Sequence, residues 1–237
     1  MKKRRIFSFI LLLAVLLCSC GSQVEQEPDH QPVENILLNE PEDTQGTFSA
    51  EVVDSTHIEE PLPPHVYKYF IRVNLFTNTV TVYAKDNGGE YTVPYLSMIC
   101  STGEDTPTEG TYYLPGRHWP WLSLQGDVYG QYVTQIIGNI LFHSVPYETL
   151  FDKSSLETLE YNKLGTSASM GCVRLQAGDA KWIYDNAMDI EAVEFYSEPD
   201  PGPLGWPASP YIPPFDERSG WDPTDPDPEN PWNLSEE

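Results

Sequence analysis

The chain has 237 residues, with 36 Asp or Glu against 13 Lys or Arg and a formal net charge of −23. A chain this acidic lacks the basic surface that phosphate neutralisation requires, which excludes nucleic acid as a partner. The length suits one domain of ordinary size with flanking segments.

Lys2-Lys3-Arg4-Arg5 precedes a run from Ile6 to Leu17 that is apolar except for Ser8. Such a run suits a signal-peptide core and falls short of the roughly 20 residues that span a bilayer. Leu17-Cys18-Ser19-Cys20 resembles a bacterial lipobox, which implies cleavage after residue 19, diacylation of Cys20 and a protein anchored on the outer face of the cell membrane, facing the wall. From residue 20 to 64 the chain is acidic, with no Lys or Arg. It reads as a disordered tether, because so little apolar surface does not offset the entropy of ordering.

Residues 65–198 read as a mainly β domain. Phe70 to Leu75 and Thr79 to Tyr83 alternate at period two around Asn78, a hairpin. Lys85 to Gly89 is a second turn, leading into an extended run from Tyr91 to Cys100. Further strands are predicted at Gly110–Leu114, Tyr132–Ile137, Ile140–His143 and Glu191–Tyr196. Pro115 to Trp121, with His118, and Tyr129 to Tyr132 read as a loop over a cleft. One helix is predicted behind Asp179 as its N-terminal cap, with Ala180, Ile183, Tyr184 and Ala187 on one face. The Pro- and Trp-rich acidic tail, 199–237, reads as disordered. No set of residues has metal-ligand spacing, and no cofactor is implied.

The chemistry concentrates in two words. Phe142-His143-Ser144 is followed 29 positions later by Cys172, in Ser169-Met170-Gly171-Cys172-Val173-Arg174. A cysteine nucleophile needs its thiolate, and a nearby imidazole is the usual activator. A glycine before it lets backbone amides approach a reacting carbonyl. Cys100 lies in an apolar stretch and reads as a small buried hydrophobe, although a disulfide to Cys172 is the alternative.

Gly138 to Pro146, Leu164-Gly165, Ser169 to Leu175 and Asp179 to Tyr184, with Ser101-Thr102-Gly103, Thr106-Pro107-Thr108 and Gly110 upstream, together resemble the L,D-transpeptidase (YkuD) family over about residues 67 to 197. The resemblance implies a β-rich catalytic domain with a short helix after the nucleophile. It also implies peptide exchange on peptidoglycan stem peptides, forming 3→3 cross-links through a Cys thioester with release of D-alanine. Cys172 is then the nucleophile, His143 the general base and acid, Ser144 the group that orients His143, and Gly171 an oxyanion amide. Ser169, Met170 and Arg174 are expected to contact substrate, with a structural ion pair as the alternative for Arg174, and carbapenems to acylate Cys172. Met170 departs from the family pattern, in which a second histidine commonly precedes the glycine; if that position only packs, Met fills it. An L,D-carboxypeptidase trimming tetrapeptides and a non-catalytic wall-binding lipoprotein are the alternatives.

Overall fold

The computed structural model describes residues 65–208 and 210–234; the signal segment, Cys20 and the tether lie outside the described residues. The elements in order are β1 (Tyr69–Asn74), β2 (Thr79–Ala84), β3 (Val93–Ser101), β4 (Gly110–Tyr113), β5 (His118–Leu124), β6 (Val128–Ile137), β7 (Ile140–Ser144), α1 (Thr158–Tyr161), β8 (Val173–Leu175), α2 (Ala177–Asp185) and β9 (Ile190–Tyr196). The strands form a nine-stranded sheet in the order β4-β9-β1-β2-β3-β8-β7-β6-β5, and the fold is the mainly β one expected. β1 runs parallel to β9 and β7 to β8. Strand β3 joins the halves: Val93 to Ile99 pair with β2, whereas Cys100 and Ser101 pair with Leu175 and Arg174 of β8.

The alternation in β1 and β2 places Ile71, Val73, Val80 and Val82 wholly inside, and Asn78 between them takes φ 50°, a left-handed conformation that Asn tolerates. They pack with Met98, Cys100, Phe142, Val173, Leu175 and Phe195, and with Ala180 and Ile183 of α2. A second core joins Ile99, Val145, Tyr147, Leu156, Tyr161 and Leu164 beneath the long crossover from β7 to β8.

Three expectations are corrected. The segment read as a loop over the cleft is instead a β-hairpin, β5–β6; Pro120 is tolerated because β5 is an edge strand and Pro120 sits between the paired residues Trp119 and Trp121. Helix α2 starts before Asp179. Its N-cap is Gln176, which makes no side-chain capping bond, and Asp179 lies in the first turn. Its first amides are capped instead by the tail, Ala177 N–H donating to Asp222 Oδ2 at 2.7 Å and Gly178 N–H to Thr224 Oγ1 at 2.9 Å.

The tail, expected to be disordered, instead packs on the domain over its described residues. Ile212 is fully buried in the second core, and Asn162 clasps its backbone through two bonds of 2.8 Å. Gly220 passes so close to Ser154 that a Cβ there would lie 2.0 Å from the Ser154 carbonyl oxygen. The Asp-Pro bias is used in turns: Asp222, Asp225 and Asp227 each accept the amide two residues on, at 2.8, 2.9 and 2.9 Å, and proline presets the intervening backbone. Asp222 and Asp225 are buried, the one at a helix N-terminus and the other 3.1 Å from Lys153 Nζ.

If the tail is part of the cooperative domain, Ile212→Ala will lower the unfolding free energy by about 2–5 kcal/mol, the range for emptying a buried aliphatic site. Urea denaturation followed by tryptophan fluorescence measures it; an unchanged midpoint would return the tail to an independent segment.

Candidate active site

His143 and Arg174 face each other across the parallel β7–β8 pair, one register step beyond the core residues Phe142 and Val173. Alternation along the strands therefore turns them to the side opposite the core. On that side lies a cleft of about 760 Å³ lined by His143, Cys172, Arg174, Met170, the 138–141 turn, and Trp119, Leu122 and Leu124 of the β5–β6 hairpin.

The imidazole is 2% exposed, and its Nδ1 lies 2.5 Å from the Ser144 carbonyl oxygen. A carbonyl only accepts, so Nδ1 carries the proton and Nε2 keeps its lone pair. Burial first, and then the Arg174 charge, hold the His143 pKa down to about 4 against the pull of that bond, so the ring is neutral at physiological pH. The Ser144–Val145 peptide is itself fixed, since its N–H donates to the Leu175 carbonyl at 2.8 Å. Ser144 thus meets the imidazole through its carbonyl, while its hydroxyl accepts Gln131 N–H at 3.0 Å and donates to the Val145 carbonyl.

Cys172 is half-buried, and its Sγ donates to the Asn139 carbonyl oxygen at 3.4 Å. Desolvation raises its pKa, opposed by a hydrogen bond from the Leu141 backbone and by Arg174. Cys100 is free and completely buried, so Cys172 remains a thiol. The pair rests as thiol and neutral imidazole.

The turn before Cys172 is held by segment 102–106. Thr102 O accepts the amides of Ala168 and Ser169 at 3.0 Å each, Asp105 N–H donates to Met170 O at 2.8 Å, and Thr106 Oγ1 donates to Gly171 O at 2.7 Å. Ser169 Oγ donates to Cys172 O at 2.6 Å. Two glycines permit this contact: a Cβ on Gly103 would sit 2.2 Å from Ser169 O, and one on Gly171 would sit 2.9 Å from Asp105 Cβ.

Of the residues picked out in sequence, His143, Cys172, Gly171, Ser169, Met170 and Arg174 all line one cleft, and Ser144 lies directly behind. The hydroxyl of Ser169 is engaged by the turn, and Arg174 Nη1 is held by Glu160 of α1 at 2.8 Å. Met170 is 56% exposed at the cleft rim, so its side chain fills no core space. His118 packs edge-on against Tyr184 of α2. Sequence reasoning missed Gly130, where a Cβ would lie 3.1 Å from His143 Cβ; a glycine inside a strand is the signal of such close approach. Among the described residues no group of His, Cys, Asp or Glu is placed to hold a metal ion.

Comparison with known proteins identifies the class. Residues 68–194 match the YkuD family, the L,D-transpeptidase catalytic domain, and the chain belongs to that family. YciB of Bacillus subtilis (strain 168), assigned as an L,D-transpeptidase, is 29% identical over 184 residues, which are 75% of this chain and 90% of that one. Among solved structures, an L,D-transpeptidase from Mycobacterium smegmatis is 15% identical with a TM-score of 0.42, covering 55% of this chain and 59% of its own. LdtMt1 in complex with imipenem is 16% identical with a TM-score of 0.40, covering 54% and 58%. The match thus spans less than two thirds of either solved chain.

A neutral imidazole has a direct consequence for pH dependence. Because the His143 pKa is depressed, the imidazole stays neutral and able to accept a proton as pH falls, until it is protonated near 4, and the raised pKa of Cys172 keeps its thiol protonated through neutral pH. The rate of Cys172 acylation by a carbapenem between pH 4 and 9 should show no inflection near 6.5. An ionisation at that ordinary histidine value would contradict this description of the pair.

Proposed function

We propose that the protein is a peptidoglycan L,D-transpeptidase forming 3→3 cross-links, with Cys172 as nucleophile and His143 as base. The observation that carries the reading is the neutral imidazole, pinned at Nδ1 by Ser144 and sharing a cleft with Cys172, the only thiol that lines it among the described residues. Family membership supplies the reaction class.

For the reaction Sγ must leave the Asn139 carbonyl and meet Nε2 within the shared cleft. The thiol proton passes to Nε2 as sulfur attacks the carbonyl of the third stem residue, a diamino acid. A trans peptide directs its C=O and N–H to opposite sides. Since the carbonyls of Met170 and Gly171 are drawn to Asp105 and Thr106, the amides of Gly171 and Cys172 face the other way, as oxyanion donors. Collapse breaks the C–N bond, the imidazolium protonates the departing D-alanine, and a thioester remains. A side-chain amine of a second stem attacks it and gives its proton to His143. The C–S bond then breaks and the thiolate recovers that proton.

Arg174, already paired with Glu160, acts on this sequence mainly through its charge, favouring thiolate and neutral imidazole together. The basic and apolar residues from Lys2 to Leu17 and the Leu17–Cys20 word support a lipid anchor on Cys20, with the acidic tether carrying the domain towards the wall.

Incubation of the full chain and Cys172→Ala with disaccharide tetrapeptide, followed by mass spectrometry, tests the proposal. A cross-linked dimer with loss of D-alanine, absent from the variant, is expected. Tripeptide alone would make the enzyme a carboxypeptidase, and no Cys172-dependent product would overturn both enzymatic readings.

A further inference from the structure

Directly behind His143 runs a column of buried polar groups that ends in the C-terminal tail. Ser144 Oγ accepts Gln131 N–H at 3.0 Å. The Gln131 side chain, 1% exposed and with its carboxamide oriented to suit its neighbours, donates to Asp225 Oδ2 at 3.0 Å and to the Tyr147 hydroxyl at 3.2 Å, and accepts from Lys153 Nζ at 3.3 Å. Lys153 in turn binds Asp225 at 3.1 Å and Asp227 at 2.9 Å. Tyr132, the next residue, takes φ 54°, a left-handed conformation unusual for a tyrosine within a strand. The neighbouring Gln131 amide is directed at a side chain, and the column holds this irregular backbone in place.

The tail also reaches the other side of the same peptide. Val145 N–H donates to Leu175 O, and two residues beyond Leu175 the Ala177 amide is held by Asp222. The Ser144–Val145 peptide, whose carbonyl receives the imidazole proton, is therefore flanked by two strands that tail carboxylates secure, β6 through Asp225 and the β8–α2 junction through Asp222. A segment that served only to cover apolar surface would need neither carboxylate buried.

We propose that the C-terminal tail is a positioning element of the active site, with Asp225, acting through Gln131 and Ser144, fixing the imidazole of His143 for its reaction with Cys172. The inference rests on the assignment of His143 and Cys172 as the reacting pair. Asp225 touches neither substrate nor thiol. Its effect falls on the maximal rate and leaves the affinity for an acylating ligand alone, since a base displaced by a fraction of an ångström still allows binding.

The test uses the full chain and a carbapenem, with the maximal acylation rate and the half-saturating concentration measured separately by stopped-flow fluorescence. Asp225→Ala should lower the maximal rate about tenfold with half-saturation unchanged, and Asp225→Asn, which keeps an acceptor for Gln131, should recover part of it. Ile212→Ala, which loosens the tail through the second core it shares with Tyr147 but removes no hydrogen-bonding group of the column, should stay within about twofold at a temperature where every variant is folded by circular dichroism. If Asp225→Ala does not fold, the contrast between Asp225→Asn and Ile212→Ala decides. Equal rates for the Asp225 variants and the wild type, or an equal loss in Ile212→Ala, would overturn the positioning role. A wild-type chain that shows no Cys172-dependent acylation would remove the catalytic assignment first and this inference with it.

Discussion

The Ser144–Val145 peptide is where the fold and the chemistry meet. Its carbonyl receives the Nδ1 proton of His143, and its amide is bonded to Leu175 on the neighbouring parallel strand. One planar group thus sets the tautomer of the imidazole and anchors the strand that follows Cys172. Burial on both sides of the pair keeps the imidazole neutral and the thiol protonated, so reactivity depends on geometry more than on a standing ion pair.

Cys172 is located by a second set of backbone contacts. Segment 102–106 holds the carbonyls before Cys172, and it can approach because Gly103 and Gly171 have no Cβ. The segment is itself placed by Asn78 at the β1–β2 turn, whose Oδ1 accepts Thr102 N–H and Oγ1–H at 3.0 and 2.9 Å. His143 on β7 and Cys172 at the start of β8 thus sit on paired strands, while the segment that holds the turn before Cys172 follows β3, which joins β8 to the other half of the sheet. A shift between the halves would drag the turn that ends in Cys172 against the strand that carries His143, and this is why the shared core bears on reactivity as well as on stability.

Much of this was legible in the chain. Period-two alternation located β1 and β2, a strand was expected where β9 lies, and the words around His143 and Cys172 pointed to one cleft. Other parts depend on contacts distant in sequence. The strand β8 has three residues, too few to show a period. The cap of α2 comes from Asp222, 45 positions away, so local reading selected Asp179, which burial and the Asp222 charge instead push up to about 7. The tail has the composition of a disordered segment, yet its Asp and Pro residues build successive turns whose carboxylates find Lys153 and a helix N-terminus. Composition measures apolar content; it does not record that a basic residue elsewhere waits for those acids.

The central claim is that the His143 imidazole is neutral with its proton on Nδ1. Nitrogen-15 NMR of histidine-labelled protein at neutral pH tests it most directly, with His143 assigned by its loss in a His143→Asn variant. The account predicts a protonated Nδ1 coupled to a strongly downfield proton and an unprotonated Nε2. A proton on Nε2, or an imidazolium with both nitrogens protonated, would contradict it.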